Sequence, residues 1–488
     1  MSEAVAPIEA GLPDPLTTPL EQLDVSDSRL FQQDAWRPYF ARLRREDPVH
    51  WVPDSPFGPY WAVTKFADIM HVDNHHDLFS SEPTIAIGDS PGDEHIVNFI
   101  AMDPPKHDVQ RKVVQPVAAP RNLMLLEPLI RERAGRILDD LPVGETFNWV
   151  ERVSVELTTQ MLATLFDFPF EDRHKLPYWS DLSVGSPETT GADLGGMTSE
   201  EQMAGLQEMA NVFMGLWNER AARTPDPDAP LDLITMMAHH PDTADMHTRP
   251  LEFMGNIMLL IVGGNDTTRN SITGGVLALN RQPEQYELLR ANPDLIPNMV
   301  PEIIRWQTPC AAHAPDGEGG HGAGRQADPR GDKVVMWYVS GNRDEEVHEA
   351  ARRLRIDRAN ARHHVAFGFG VHRCMGNRLA EMQLRVIWEE IMKRFEHIEV
   401  MGPETRLKSN FIRGILDLPV RVVPGTEAAR QMASGNAGIE AEHARWMQRA
   451  VDLCADRRGV RQRWPLRRGD RPGRPDPRRG RQPGPGGP

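Results

Sequence analysis

The residue with the clearest chemical potential is Cys374, in the run Phe367-Gly-Phe-Gly370-Val-His372-Arg-Cys374-Met-Gly376, just ahead of an amphipathic stretch from Asn377 to Arg394. A cysteine delivered to a helix N-terminus meets unpaired backbone N–H groups and the positive end of the helix dipole, which favour its thiolate. An anionic sulfur ligand to iron needs such surroundings, and glycines at 370 and 376 let the backbone turn closely against a flat group. A buried cysteine in an ordinary loop is the bland alternative. A zinc site using His363, His364, His372 and Cys374 is another, but structural zinc sites draw on two separated ligand pairs. Neither explains the glycines.

Three further pairings stand out. Gly263-Gly264-Asn265-Asp266-Thr267-Thr268 interrupts a long apolar helix expected from Leu251 to Asn280. Two glycines loosen the hydrogen-bond ladder and leave room for a small ligand beside the backbone. A helix crossing would explain the glycines, but an acid followed by threonine in a buried helix calls for another account. His107 and Arg111, four apart after Asp103-Pro-Pro, share a helix face and are either solvated or paired with carboxylates. Glu302 and Arg305 lie one turn apart, ordinarily an exposed pair of little worth.

The elements that must position these residues are mostly helical. Trp36 to Arg44 has amphipathic spacing, and Val49 to Val52 with Tyr60 to Val63 reads as a β-hairpin. A helix can start after Pro104-Pro105, and Leu123 to Leu138 and Val153 to Leu165 keep a 3.6-residue rhythm. Ser183 to Gly196 reads as a mobile loop. In the Met-rich helix after it, from Ser199 to Arg223, Met203, Leu206, Ala210, Phe213, Met214 and Trp217 share a face, with Met209 at its edge. Core packing is the preferred reading of that face over an apolar lid. Val334 to Tyr338 reads as a strand, and an apparently helical piece from Ile439 to Asp456 precedes an Arg, Pro and Gly tract that cannot bury enough apolar surface to fold by itself.

Charge and length bound the function. The 488 residues carry a net charge of -15, but residues 456–488 hold eleven Arg against three Asp, or +8, which leaves about -23 on the rest. An acidic body argues against nucleic acid as the main partner. The three cysteines, Cys310, Cys374 and Cys454, suit a reducing cytoplasm. No signal peptide is visible, and the run Ile257 to Val262 is too short to span a membrane.

The loop around Cys374 resembles the haem-binding loop of the cytochromes P450, F-x-x-G-x-[HR]-x-C-x-G, at every fixed position. The resemblance runs from about residue 30 to 423. It implies a mainly α fold with a small β region, a flexible segment 1–30, a haem domain 31–423 and an atypical tail 424–488. By the same resemblance Cys374 is the axial thiolate of haem b, with Phe367, Gly370 and Gly376 in the haem loop and His372 on a propionate. His107 and Arg111 resemble the H-x-x-x-R propionate pair. Gly263 and Gly264 resemble the oxygen-binding groove of the distal helix, and Asp266 and Thr267 the proton-relay pair beside it. Glu302 and Arg305, with Arg358, resemble the E-x-x-R structural triad. A thiolate ligand pushes electron density onto iron and favours O–O cleavage, the chemistry of a monooxygenase.

Finer likeness lies in Asn98 to Pro105, Gly263 to Ser271, Trp337 to Glu346 and Cys374 to Gln383, which resemble soluble bacterial P450s that hydroxylate alkanes at the terminal carbon. The resemblance implies a cytoplasmic enzyme that hydroxylates medium-chain alkanes or fatty acids with O2 as co-substrate. Electrons would come from a ferredoxin and its NAD(P)H-dependent reductase. The alternatives are another apolar substrate, such as a terpene, or a damaged haem-binding chain without turnover. Two stretches depart from the pattern. Cys310 to Arg330 lacks the expected pocket strand and its propionate arginine, and His348 to Arg355 lapses likewise. We read both as local reading-frame shifts that preserved the length, or as errors of sequencing, with a comparable origin or a natural disordered extension for the tail; resequencing the gene is the check.

Overall fold

The computed structural model describes residues 11–425 apart from 90–95, 186, 193–196, 227–230 and 318–331. The tail, with the expected Ile439 to Asp456 helix and Cys454, lies outside these. Order begins earlier than the sequence suggests. A short helix, Ser28–Gln32, and the segment before it bury Leu23, Val25, Leu30 and Phe31, so at least residues 20–30 are packed rather than free.

In chain order the elements that build the site are α1 (Arg37–Glu46), β1 (Val49–Val52), β2 (Tyr60–Val63), α2 (Phe66–Asn74), α3 (Lys106–Val114), α4 (Pro120–Asp139), α5 (Glu156–Phe166), α6 (Lys175–Val184) and α7 (Ser199–Ala221). Then follow α8 (Pro250–Arg281), α9 (Ile296–Gln307), β3 (Val334–Met336), α10 (Asn377–Arg394), β4 (Phe395–Val400) and β5 (Pro419–Pro424). The hairpin β1–β2 pairs antiparallel from Val49 opposite Val63, and β3 adds parallel to β2 with Trp61 opposite Val334. β4 and β5 pair antiparallel. The strand expected to reach Tyr338 stops at Met336, because Tyr338–Gly341 turns into one helical turn.

α8 runs through the core. Pro250 stands in its first turn, and Ile257, Ile261, Ile272, Val276 and Leu279 are buried. Each such side chain contributes roughly 1.5–3 kcal/mol on leaving water. Its later glycines serve packing: a Cβ on Gly274 would lie 2.6 Å from Gln307 Oε1, and one on Gly275 2.9 Å from Ile303 Cδ1, so α9 crosses closely there. α10 lies along α4, where Arg131 bonds Glu389 and Glu390 at 2.6 and 2.9 Å.

α7 begins with a capping box between Thr198 and Glu201. Its buried face is Leu206, Met209, Phe213, Leu216 and Trp217, so Met209 is central, whereas Met203 is 61% exposed. Phe213 packs on Phe166 and Trp179, the core reading of this helix. The mobile loop expected from Ser183 is helical at its start, since α6 runs to Val184, and again at Pro187–Thr190.

Strand-like backbone persists where none was expected after Pro309. Cys310 bridges Ile412, His313 bridges Met336, and Asp316–Gly317 pairs with Phe79–Ser80. Such pairing needs only backbone N–H and C=O groups, which any side chain permits. The rest of that stretch, 318–330, lies outside the described residues. Among the described residues no helix is long and apolar enough to cross a membrane.

Candidate active site

Gly368 and Gly370, both with left-handed φ (65° and 62°), fold the loop before α10 back on itself. The amide of Cys374 donates to Phe367 O at 2.8 Å and closes the loop, leaving Cys374 exposed at the mouth of a surface cleft. Crowding around the sulfur raises the thiol pKa above its usual value. The N–H groups of Gly376 and Asn377 and the cations Arg111 and Arg373 pull the other way. The helix start thus offsets that crowding of the sulfur without overcoming it, a correction to the lowered pKa expected from sequence.

His372 and His107 meet at the edge of the cavity above this loop, their ring centroids 4.5 Å apart. His107 is buried, with Nδ1 bonded to Asp108 at 2.8 Å, and His107 Nε2 and both ring nitrogens of His372 are buried with no partner in the protein. Burial first, and then the neighbouring His313 and His107, push His372 down to about 2. Arg111 is half-buried alongside and donates to Arg373 O. Sequence reasoning missed His313, which is buried and 6.0 Å from His372 by ring centroid. Two imidazoles with unpartnered ring nitrogens and a guanidinium with spare donors, beside a third imidazole, could receive carboxylates; unsatisfied buried groups of this kind call for a partner.

A cavity of about 240 Å³ opens between this edge and α8. Gly263, Gly264, Thr267 and Ser271 form its α8 wall, and Ile85, Phe99, Ile100, Leu259, Val262, Phe411 and Ile412 make it apolar. A Cβ on Gly263 would meet nothing within 4 Å, whereas one on Gly264 would lie 2.8 Å from Leu162 Cδ1. Gly263 therefore keeps space open, and Gly264 admits α5. Thr267 bonds back to Gly263 O at 3.2 Å. Asp266 does not line the cavity. It is fully buried, accepts from Ser180 Oγ at 3.2 Å and pairs with Arg269 at 2.7 Å. Burial raises its pKa to about 6 against the pull of Arg269. The α6 partners Ser180 and Asp181 carried no sequence signal beyond their helix face.

The expected triad is assembled. Arg305 grips Glu302 with two bonds of 2.7 Å, and Arg358 Nε reaches the same carboxylate at 2.9 Å. Arg305 also donates to the carbonyls of Asn342, Ala351 and Arg353, and Glu302 accepts the amide of Arg355 at 2.8 Å. The stretch 348–355 is thus held through its backbone, independently of the side chains it carries.

The family model described as Cytochrome P450 matches residues 328–421. Linalool 8-monooxygenase of Pseudomonas putida is 35% identical over 420 residues, covering 83% of this chain and 100% of that protein. Steroid C26-monooxygenase of Mycolicibacterium smegmatis is 34% identical, covering 82% and 93%. Among solved structures, cytochrome P450-153 from Novosphingobium aromaticivorans is 42% identical with a TM-score of 0.75, covering 82% of this chain and 99% of that chain. CYP153D17 from Sphingomonas sp. PAMC 26605 is also 42% identical at 0.75, covering 83% and 100%. With relatives matched over their full length and the cysteine loop, the glycine-bearing helix and the triad assembled in one fold, the chain belongs to the cytochrome P450 family, the haem-dependent monooxygenases.

Proposed function

We propose that this P450 hydroxylates the terminal carbon of a medium-chain alkane, with the Cys374 thiolate as the residue that would hold the iron of haem b. Bound haem supplies the activation of dioxygen for insertion of one oxygen atom into a C–H bond. In this reading His372, His107 and Arg111 would hold the haem carboxylates, Phe367 and Gly376 would face the macrocycle while Gly370 packs on the Asp73 backbone instead, and Gly263 would leave room for dioxygen while Gly264 admits α5. Thr267 presents its hydroxyl to the cavity, and Asp266, with a pKa of about 6, takes up and passes on a proton behind it.

The observation that carries the substrate reading is the distribution of polarity in the cavity. Its one cation among the described residues, Arg111, lies with His372 and His313 at the carboxylate edge, and the far wall is hydrocarbon. Such a wall accepts an alkane chain end and gives the carboxylate of a fatty acid no partner, so the alkane is favoured of the two expected substrates. The linalool-oxidising relative favours a second reading, a terpene substrate, in the same apolar space.

Electrons would arrive from a ferredoxin, itself reduced by an NAD(P)H-dependent reductase in the cytoplasm. Lys112, Arg373 and Arg378 rim the cleft of about 1050 Å³ that reaches Cys374, a basic surface suited to an acidic electron carrier. The test is the absorption spectrum of the reduced protein with carbon monoxide, followed by product analysis. A strongly red-shifted Soret band that Cys374→Ala abolishes, with terminal alcohols from alkanes, is expected. Absence of the band, or exclusive oxidation of terpenes, would overturn the ligand or the substrate assignment respectively.

A further inference from the structure

Asp73 is a buried acid that the reading above does not use. It lies in the last turn of α2, is 7% exposed, and among the described residues no cation pairs with it; burial raises its pKa to about 7. Its Oδ2 accepts two hydrogen bonds, from the amide of Phe369 at 2.9 Å and from the hydroxyl of Tyr338 at 3.0 Å. Phe369 lies between the two left-handed glycines of the cysteine loop. The Asp73 carbonyl also touches that loop, since a Cβ on Gly370 would fall 2.1 Å from it. Side chain and main chain of one residue therefore grip adjacent residues of the turn. That turn is closed by the bond from Cys374 N to Phe367 O.

We propose that Asp73 is a positioning residue for the iron ligand: it clasps the Gly368-Phe369-Gly370 turn so that the following residues carry the Cys374 sulfur to one fixed place. The proposal rests on the assignment of Cys374 as that ligand. Acceptance at Oδ2 is what the clasp needs. Asparagine, which can put its carbonyl oxygen at Oδ2, keeps both donors supplied, and alanine leaves two buried donors unpaired.

The test uses the haem-loaded full chain and follows the reduced carbon monoxide spectrum over time, with haem content measured alongside. Asp73→Ala is expected to lose the strongly red-shifted thiolate band roughly tenfold faster than the wild type at equal haem content, the scale of a lost buried hydrogen bond. Asp73→Asn is expected to keep it. A band in Asp73→Ala as complete and durable as the wild type's overturns the clasp while leaving the ligand assignment intact. Equal loss in the Asn and Ala variants overturns it too, and no band in the wild type overturns both. Should Asp73→Ala fail to fold, Tyr338→Phe removes one donor without emptying the core. Faster band loss in that variant supports the clasp, and wild-type durability overturns it.

Discussion

Asp266 and Asp181 share one nitrogen: Arg269 Nη2 lies 2.7 Å from the first carboxylate and 2.6 Å from the second. Asp266 is fully buried, and the Asp181 side chain is 49% exposed. The shared guanidinium ties the buried acid next to Thr267 to a carboxylate at the surface. We predict that Asp266→Asn lowers turnover about 10²-fold, within the usual range for a lost general acid. Thr267→Ala should instead divert consumed electrons away from product. Product formed per electron pair consumed separates the two, and wild-type values in both variants would remove these residues from the chemistry.

Gly263 and Gly264 are neighbours with different reasons to be glycine. Gly263→Ala points a methyl into open cavity and adds helix propensity, so its melting temperature should not fall, while oxygenation should weaken because the space beside the backbone is filled. Gly264→Ala gains the same propensity but drives its methyl against Leu162, so it should melt below Gly263→Ala. Thermal melts and product yields on the same preparations decide; the reverse pattern would contradict the placement of α8 against α5.

Glu302 and Arg305 are both wholly buried, so breaking their pair leaves a charge without a partner. We predict that Glu302→Ala destabilises the fold by about 3–5 kcal/mol, far more than an exposed pair one turn apart would. Denaturant unfolding measures it. A cost below about 1 kcal/mol would return the pair to the surface role that spacing alone suggests.

Local spacing made much of this legible. The cysteine loop, the i, i+4 pair His107 and Arg111 and the helix around Asp266 lie within single elements, where period and glycine placement carry the signal. Asp73, His313 and Asp181 were not legible as site residues, because each matters through a partner far along the chain: Asp73 meets Phe369, and His313 meets His372. One clue was present. Phe66, Ile69 and Asp73 fall on one face of α2 at helical spacing, so an acid stood at a position that periodicity assigns to the core. The backbone pairing at 310–317 was hidden for a different reason, since a strand edge answers to main-chain groups and the side chains there carry no strand pattern.

The buried ionisable groups also set how stability follows pH. Asp73 and Asp266 have folded pKa values near 7 and 6, raised by burial from 3.8. Between about pH 4 and 7 the folded chain therefore binds protons at these acids that the unfolded chain has released, and their contribution falls as pH rises. His313, His348 and His364 act oppositely: burial lowers them from 6.5 to about 4, 3 and 3, so below pH 6.5 the unfolded chain takes up protons that the folded chain refuses. Three histidines outweigh two acids, and we predict that the protein loses stability on acidification below about pH 6.5. Asp73→Asn isolates one opposing contribution. Its stability relative to wild type should rise from pH 4 to 7, by at most about 1.4 kcal/mol per pH unit, and then level off. Melting temperatures of the two proteins across that range test it, and a difference independent of pH would mean that Asp73 stays ionised in the fold.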